Sequence, residues 1–273
     1  MKKIIIAVAI AASMTSQPLM AAVYSSSSLT NFIIELIDLD LEDGITPSVT
    51  FGPTGSSKIN GDTSVGSDGN FGPATDEFQK FANNTNSISD SANDGFSISS
   101  ASLVSNGPAT TSLEVSGSTL GAVGFGSFGA YNAFSSDILN YTLSGNTKLI
   151  ISADANLYVQ NTSSGEFVLS NAQIYLYNIL NNNRGSDNFD TQQLLIYGSQ
   201  LEDKTLQRTL SVFIDNFDLV SSKGNFEANI VASGSSYDTK PPSSVPVPAA
   251  LPLMASALGI FGLARRRNKS KAA

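Results

Sequence analysis

Ala172–Leu180 reads AQIYLYNIL. In this stretch Ile174, Leu176 and Asn178 alternate with Tyr175, Tyr177 and Ile179, so a period of two sends one set to each side of an extended chain. A strand apolar on both sides belongs in the middle of a sandwich. The extended pattern continues back to Phe167. Further strands are expected at Asp137–Leu143, Lys148–Asp154, Ala155–Gln160, Gln192–Tyr197, Leu206–Ile214 and Asn225–Ser233, joined through Gly145-Asn146, Ser164-Gly165 and the Asn181–Gly185 cluster.

The first half is looser. Leu29–Leu41 alternates, with Ile37, Leu39 and Leu41 on one face and Asp38, Asp40 and Glu42 on the other. Asp43-Gly44 supplies a turn, and Ile45–Phe51 reads as the returning strand. From Gly52 to Ser100 the chain is rich in Gly, Ser, Asn and Asp, with turn signals at Asn60-Gly61, Asp68-Gly69 and Asp94-Gly95. One short helix is expected at Thr75–Phe81, capped by Thr75, with Phe78 and Phe81 facing inward. Phe96–Leu103 and Thr111–Val115 are short strands. The string Gly124-Phe-Gly-Ser-Phe-Gly129 matches a dinucleotide-binding spacing, but no helical period follows it. It reads as a bend between strands, with Phe125 and Phe128 packed inward. The fold expected is all-β: one two-sheet antiparallel β-sandwich over residues 23–239, jelly-roll-like, of about ten to twelve strands.

Composition limits the chemistry. With no cysteine, the body needs a hydrophobic core in place of disulfides. With no histidine, neither a Ser-His-Asp or Cys-His nucleophile nor an imidazole zinc site can be built. Tryptophan is also absent, which leaves Tyr and Phe as the rings on which a sugar can stack. All 23 acids lie between residues 23 and 244, whereas seven of the fifteen basic residues sit outside that span. Such an acidic body repels nucleic acid.

Both ends of the chain read as addresses. Residues 1–22 carry Lys2 and Lys3, an apolar run Ile4–Ala12 and a small-residue exit, as in a secretory signal peptide cleaved after Ala21 or Ala22. Lys240–Pro248 is a Pro/Ser linker, residues 249–264 form an uncharged apolar run, and residues 265–273 are basic, including Arg265, Arg266 and Arg267. A transmembrane helix over 249–264 with its basic end held in the cytoplasm places everything upstream outside.

The order of Val245, Pro246, Val247, Pro248 and Ala249, then an apolar helix, then an arginine triplet resembles the PEP-CTERM sorting signal of Gram-negative bacteria, in its Val-Pro-x-Pro-Ala variant. Val247 stands where the commonest form of the motif has an acid. The resemblance covers roughly the last 29 residues. It implies signal peptidase and a membrane exosortase as processing partners, the inner membrane as an intermediate anchor, and delivery to the cell surface or extracellular matrix of a species that makes extracellular polysaccharide. Asp38–Phe51 also resembles the opening hairpin of many proteins with this signal, and Leu206–Ser233 their closing portion.

Asp38, Asp40, Glu42 and Asp43 are the candidate calcium ligands. An EF-hand register from Asp38 fails, because Asp43 and Val49 fall where Gly and Glu are needed. The cluster therefore reads first as a solvated strand face ending in a turn, with no cofactor required and calcium as the alternative. Two functional classes follow for the body. One is a non-enzymatic structural or polysaccharide-associated protein, calcium-dependent carbohydrate binding being a variant of it. The other is a glycan-active enzyme using paired carboxylates, for which Glu35, Asp154 and Asp215 are candidates. Scattered acids favour the first, with no catalytic residue assigned.

Overall fold

The computed structural model describes residues 21–52, 56–67, 73–82, 87–105, 110–120, 127–162, 166–180, 183–198 and 201–237. Residues 1–20 of the expected leader (1–22) lie outside them, as do the sorting motif, the apolar run and the basic tail within 238–273. Ala21 and Ala22, the expected cleavage residues, open the first strand.

All regular secondary structure among the described residues is strand, in the order β1 (Ala21–Asp38), β2 (Val49–Phe51), β3 (Ser56–Ser67), β4 (Ala74–Ala82), β5 (Ile88–Asn93), β6 (Ser97–Ser105) and β7 (Thr110–Leu120). There follow β8 (Ser127–Leu143), β9 (Thr147–Asn161), β10 (Glu166–Leu180), β11 (Asn183–Gly198), β12 (Glu202–Asn216) and β13 (Ser222–Tyr237). They form two antiparallel sheets. Sheet A runs β12-β9-β1-β7-β6-β5; sheet B runs β11-β10-β13-β8-β3-β4, with β2 against β8. The all-β, two-sheet expectation holds.

Period-two alternation builds the interior. In β9 every second side chain is buried from Thr147 to Asn161, including Leu149, Ile151, Leu157 and Val159. Lys148–Asp154 and Ala155–Gln160 are thus one strand rather than two. From sheet B, Ile174, Leu176, Phe226 and Ile230 meet this face. Full burial of each such side chain stabilises the fold by about 1.5–3 kcal/mol. The end of the sandwich where β1 begins and β13 finishes is packed with small polar residues. There Ser27 Oγ lies 2.7 Å from Ser170 Oγ and donates to the Val231 carbonyl at 2.6 Å. Tyr131 shares a hydrogen bond of 2.8 Å with Ser25 and lies against Gly117, where any Cβ would occupy the ring's space.

Several local expectations are corrected. Thr75–Phe81 is not a helix but part of β4. Its Phe78 is buried against Gly61 of β3, and Phe81, on the other face, is 66% exposed under Lys58. A spacing of three splits two side chains across a strand, and the ladder to β3 satisfies the backbone. Asn60-Gly61 accordingly lies within β3, not in a turn.

In β1, a bulge between Thr30 and Ile33, with Asn31 at φ 54°, inverts the alternation. Phe32 and Leu36 therefore pack on the core, while Ile37 is 45% exposed; Leu41, expected on the same strand face, lies beyond the end of β1 and is 86% exposed. Asp38–Phe51 is not a hairpin: Asp38 ends β1, and the one later strand in the span, Val49–Phe51, pairs with β8 instead. Leu206–Ser233 is not one either, because β12 pairs with β9 in sheet A and β13 lies between β10 and β8 in sheet B. Gly145-Asn146 does form the expected turn, with Asn146 at φ 44°. Of the glycine string, Gly129 lies in β8; residues 124–126 are outside the described set.

Along both lateral seams, side chains of one sheet cap the edge strand of the other. Asp190 and Asn188 of β11 accept from the Ser211 and Phe213 amides of β12 at 3.1 and 3.2 Å, with Arg208 3.6 Å from Asp190. On the opposite side, Asp76 of β4 accepts from the Asn93 amide of β5 at 2.8 Å, and Lys80 pairs with Asp90 at 3.1 Å.

Candidate functional site

β10 places its two side-chain sets differently. Val168, Ser170, Ala172, Ile174 and Leu176 enter the interior. The other set faces out from sheet B, where no second layer occurs among the described residues; Tyr177 in this set is buried, and Phe167 and Tyr175 are part-exposed. Strand register fixes its neighbours: Tyr175 is opposite Phe189 and Glu227, Gln173 opposite Thr191 and Asn229, and Phe167 opposite Tyr197 and Ser235.

The aromatic residues gather in two clusters. Tyr175 stacks on Tyr177 at 5.8 Å with the rings 6° from parallel, and on Phe189 at 6.0 Å. Phe167 and Tyr197 meet at 5.2 Å. Phe189 and Tyr197 are each 63% exposed. Aromatic residues favour such pleated, half-buried positions, and cross-strand pairs of this kind contribute about 0.2–1 kcal/mol each. Between the clusters the face is amide-rich, with Asn171, Gln173, Gln193 and Asn229. The Tyr175 hydroxyl donates to Gln173 Oε1 at 2.7 Å, and Asn229 Nδ2 donates to Glu227 Oε1 at 2.7 Å. Burial raises the Tyr175 phenol above its ordinary pKa, and the Glu227 charge adds to that. The result is a strip of apolar rings bracketing hydrogen-bonding amides, able to hold a ligand with both flat C–H faces and hydroxyls.

The outer face of sheet A is of another kind. A shallow trough of about 660 Å³ is lined by Tyr24, Ser26, Ser28, Asp90, Ser100 and Glu114, among others. Ser100 and Ser116 share a hydrogen bond of 2.8 Å across β6 and β7. At one end Tyr24 and Tyr158 pack at 5.6 Å. Burial raises the Tyr158 phenol, helped by the Asp203 charge and Tyr24.

The acids singled out from sequence do not come together. Asp38, Asp40 and Asp43 each hold a backbone turn: Asp38 accepts from the Asp40 amide at 3.0 Å, Asp40 from the Glu42 amide at 3.1 Å, and Asp43 from the Ile45 amide at 2.6 Å. Asp43 also accepts from Asn146 Nδ2 at 2.6 Å. They lie on successive turns, not on one strand face, and no group of three potential ligands able to hold a metal occurs among the described residues.

Asp154 accepts from Asn31 at 3.0 Å and Thr209 at 2.8 Å, and these bonds lower its pKa, Asn31 first. Asp215 pairs with Lys148 at 3.3 Å. Glu35 is opposite Ile150, four residues from Asp154 along β9, or about 13 Å. Glu35 and Asp215 stand two strands apart and out of register by two residues, roughly 12 Å. Both separations exceed the ~5–10 Å a glycosidic pair uses.

Phe189 was missed from sequence because it sits in the polar run Ser186–Gln193, and Tyr24 because it precedes four serines. In both places only alternation through small or polar residues marks the strand.

No protein-family model matches the chain, and no curated protein matches it in sequence. Two solved structures show a weak likeness. One concerns carbohydrate-binding modules from the β-sandwich super family, at 12% identity over 81% of this chain and 99% of that one, with a TM-score of 0.13. The other is TmCBM61 in complex with β-1,4-galactotriose, at 11% identity over 38% and 67%, with a TM-score of 0.09. At these TM-scores neither likeness places a residue or a ligand on this chain.

Proposed function

We propose that the protein is exported, sorted through residues 245–273, and works at the cell surface or in the extracellular matrix as a non-enzymatic, polysaccharide-associated sandwich. The observation that carries the polysaccharide reading is the open face of sheet B, where two exposed aromatic clusters flank a run of amides. Sugar rings offer apolar faces to aromatic rings and hydroxyls to amides, so this face suits them. The fold adds support for display: Ser25 near the start of β1 approaches the Ser233 carbonyl near the end of β13, at 3.4 Å. The chain therefore enters and leaves the sandwich at one end, and the strip extends away from that end along β10.

The test is retention of the purified protein on extracellular polysaccharides, with calcium and with chelator. Retention unaffected by chelator is expected, because the strip uses rings and amides. No retention on any polysaccharide would leave a purely structural role. For the sorting part, removing residues 245–273 should release the protein from the membrane fraction into periplasm or medium. Unchanged membrane association after that deletion would refute it.

A further inference from the structure

We propose that the sheet B face takes an uncharged, extended polysaccharide at two aromatic stations, one at Phe189 with Tyr175 and one at Tyr197 with Phe167, and so recognises long chains over short oligosaccharides. This rests on the polysaccharide reading above and goes further, naming the ligand class and its length dependence.

The spacing comes from the register. Phe189 and Tyr197 lie eight residues apart on one strand, about 27 Å, and both rings are more than half exposed. An even separation along the strand keeps both on the same face. Each station has a second ring behind the exposed one, at 6.0 Å and 5.2 Å, which holds it in place. Thr191, Gln193 and Leu195 fill the space on β11, and Asn171 and Gln173 lie beside them on β10. A disaccharide covers one station; a chain that bridges the amides covers both, and the second contact is then intramolecular.

Charge selects the class. Glu227 stands opposite Tyr175, and the whole chain carries a net charge of −8. Both oppose a polyanion such as a uronate polymer, whereas a neutral glycan pays no such penalty. A second copy of this equally acidic chain is disfavoured on the same ground.

The experiment measures binding of the full chain to neutral disaccharides, octasaccharides and polymers of one linkage series, with a polyuronate alongside. Octasaccharides should bind at least about a hundredfold more tightly than disaccharides. Phe189→Ala and Tyr197→Ala should each bring the octasaccharide down toward the disaccharide level, with the thermal unfolding midpoint and near-ultraviolet dichroism checking that each variant folds. The polyuronate should bind more weakly than the neutral polymer. Failure to bind any glycan would overturn the polysaccharide reading itself. Glycan binding without a length step, or unaffected by both variants but lost in Tyr24→Ala, would keep that reading, overturn the two-station proposal and move the site to sheet A. A concentration-dependent dimer abolished by the same two variants would overturn it in favour of self-association.

Discussion

β1 and β10 occupy similar places, each flanked on both sides in its own sheet, and they touch through Ser27 and Ser170. Inside the sandwich they differ by degree. β10 sends in Val168, Ser170, Ala172, Ile174 and Leu176; β1 sends in Val23, Ser25, Ser27 and Leu29. Outside they differ in kind. β10 shows rings and amides, whereas β1 shows Tyr24, Ser26 and Ser28 in a serine-lined trough. The inward residues of the two strands serve one shared interior and are constrained alike. The outward residues are free of that constraint, and there the two sheets diverge.

The sharpest break of the comparison lies inside. Leu176→Ala in β10 and Leu29→Ala in β1 should each cost about 2–5 kcal/mol in urea unfolding, because both side chains are fully buried. A much smaller loss for Leu29 would mean that the serine-rich end is loosely packed.

Next in size is an effect of pH. Asp137 of β8 faces the same interior, 1% exposed, with Ser57 Oγ donating to it at 2.8 Å. Burial pushes it up to about 6 from 3.8, against the lowering by Ser57 and the Ile138 amide. Between those values the folded protein holds a proton that the unfolded chain has lost, so stability falls as pH rises. The loss should amount to roughly 2–3 kcal/mol between pH 4 and pH 7. Asp137→Asn should remove that slope in unfolding measured across the range.

Ser170→Ala removes the link between the two strands and the donor to the Ser26 carbonyl, at 2.7 Å each. It should cost about 1–2 kcal/mol, and Ser27→Ala a similar amount, with the double variant less than additive. The smallest effects separate the outer faces. Tyr175→Ala should weaken polysaccharide binding by about 0.5–1.5 kcal/mol, a few-fold to tenfold. Tyr24→Ala should leave it unchanged. Equal effects of these two variants would erase the functional distinction between the sheets.

Strands with large apolar residues at every second position were legible from sequence: Phe167–Leu180 lies within β10, with Ile174 and Leu176 in the interior, although the other face is not enclosed as a mid-sandwich strand would require. What alternation could not reveal was how far β10's second apolar set is covered. Tyr177 is buried, whereas Tyr175 stays part-exposed beside the open Phe189, and that part-exposed edge is the candidate site. Where the inward positions are serine or glycine, as in Val23–Ser28, the hydrophobic pattern fades and the start of β1 was lost. A single extra residue at Asn31 then inverted everything after it, because a period of two has no memory across a bulge. Phe78 and Phe81 imitated a helical spacing that the ladder to β3 overrode. The Asp38–Asp43 acids were visible as a cluster, but their partners, the amides two residues on and Asn146 far along the chain, were not.

The capped seams carry a consequence for association. A serine-rich stack of long strands invites neighbouring molecules to zip together into fibrils through a vacant backbone rung. With Asp190, Asn188 and Asp76 already occupying the Ser211, Phe213 and Asn93 amides, those rungs offer no foothold to a stray strand. At these three positions a neighbouring strand would first have to displace a side chain before it could pair.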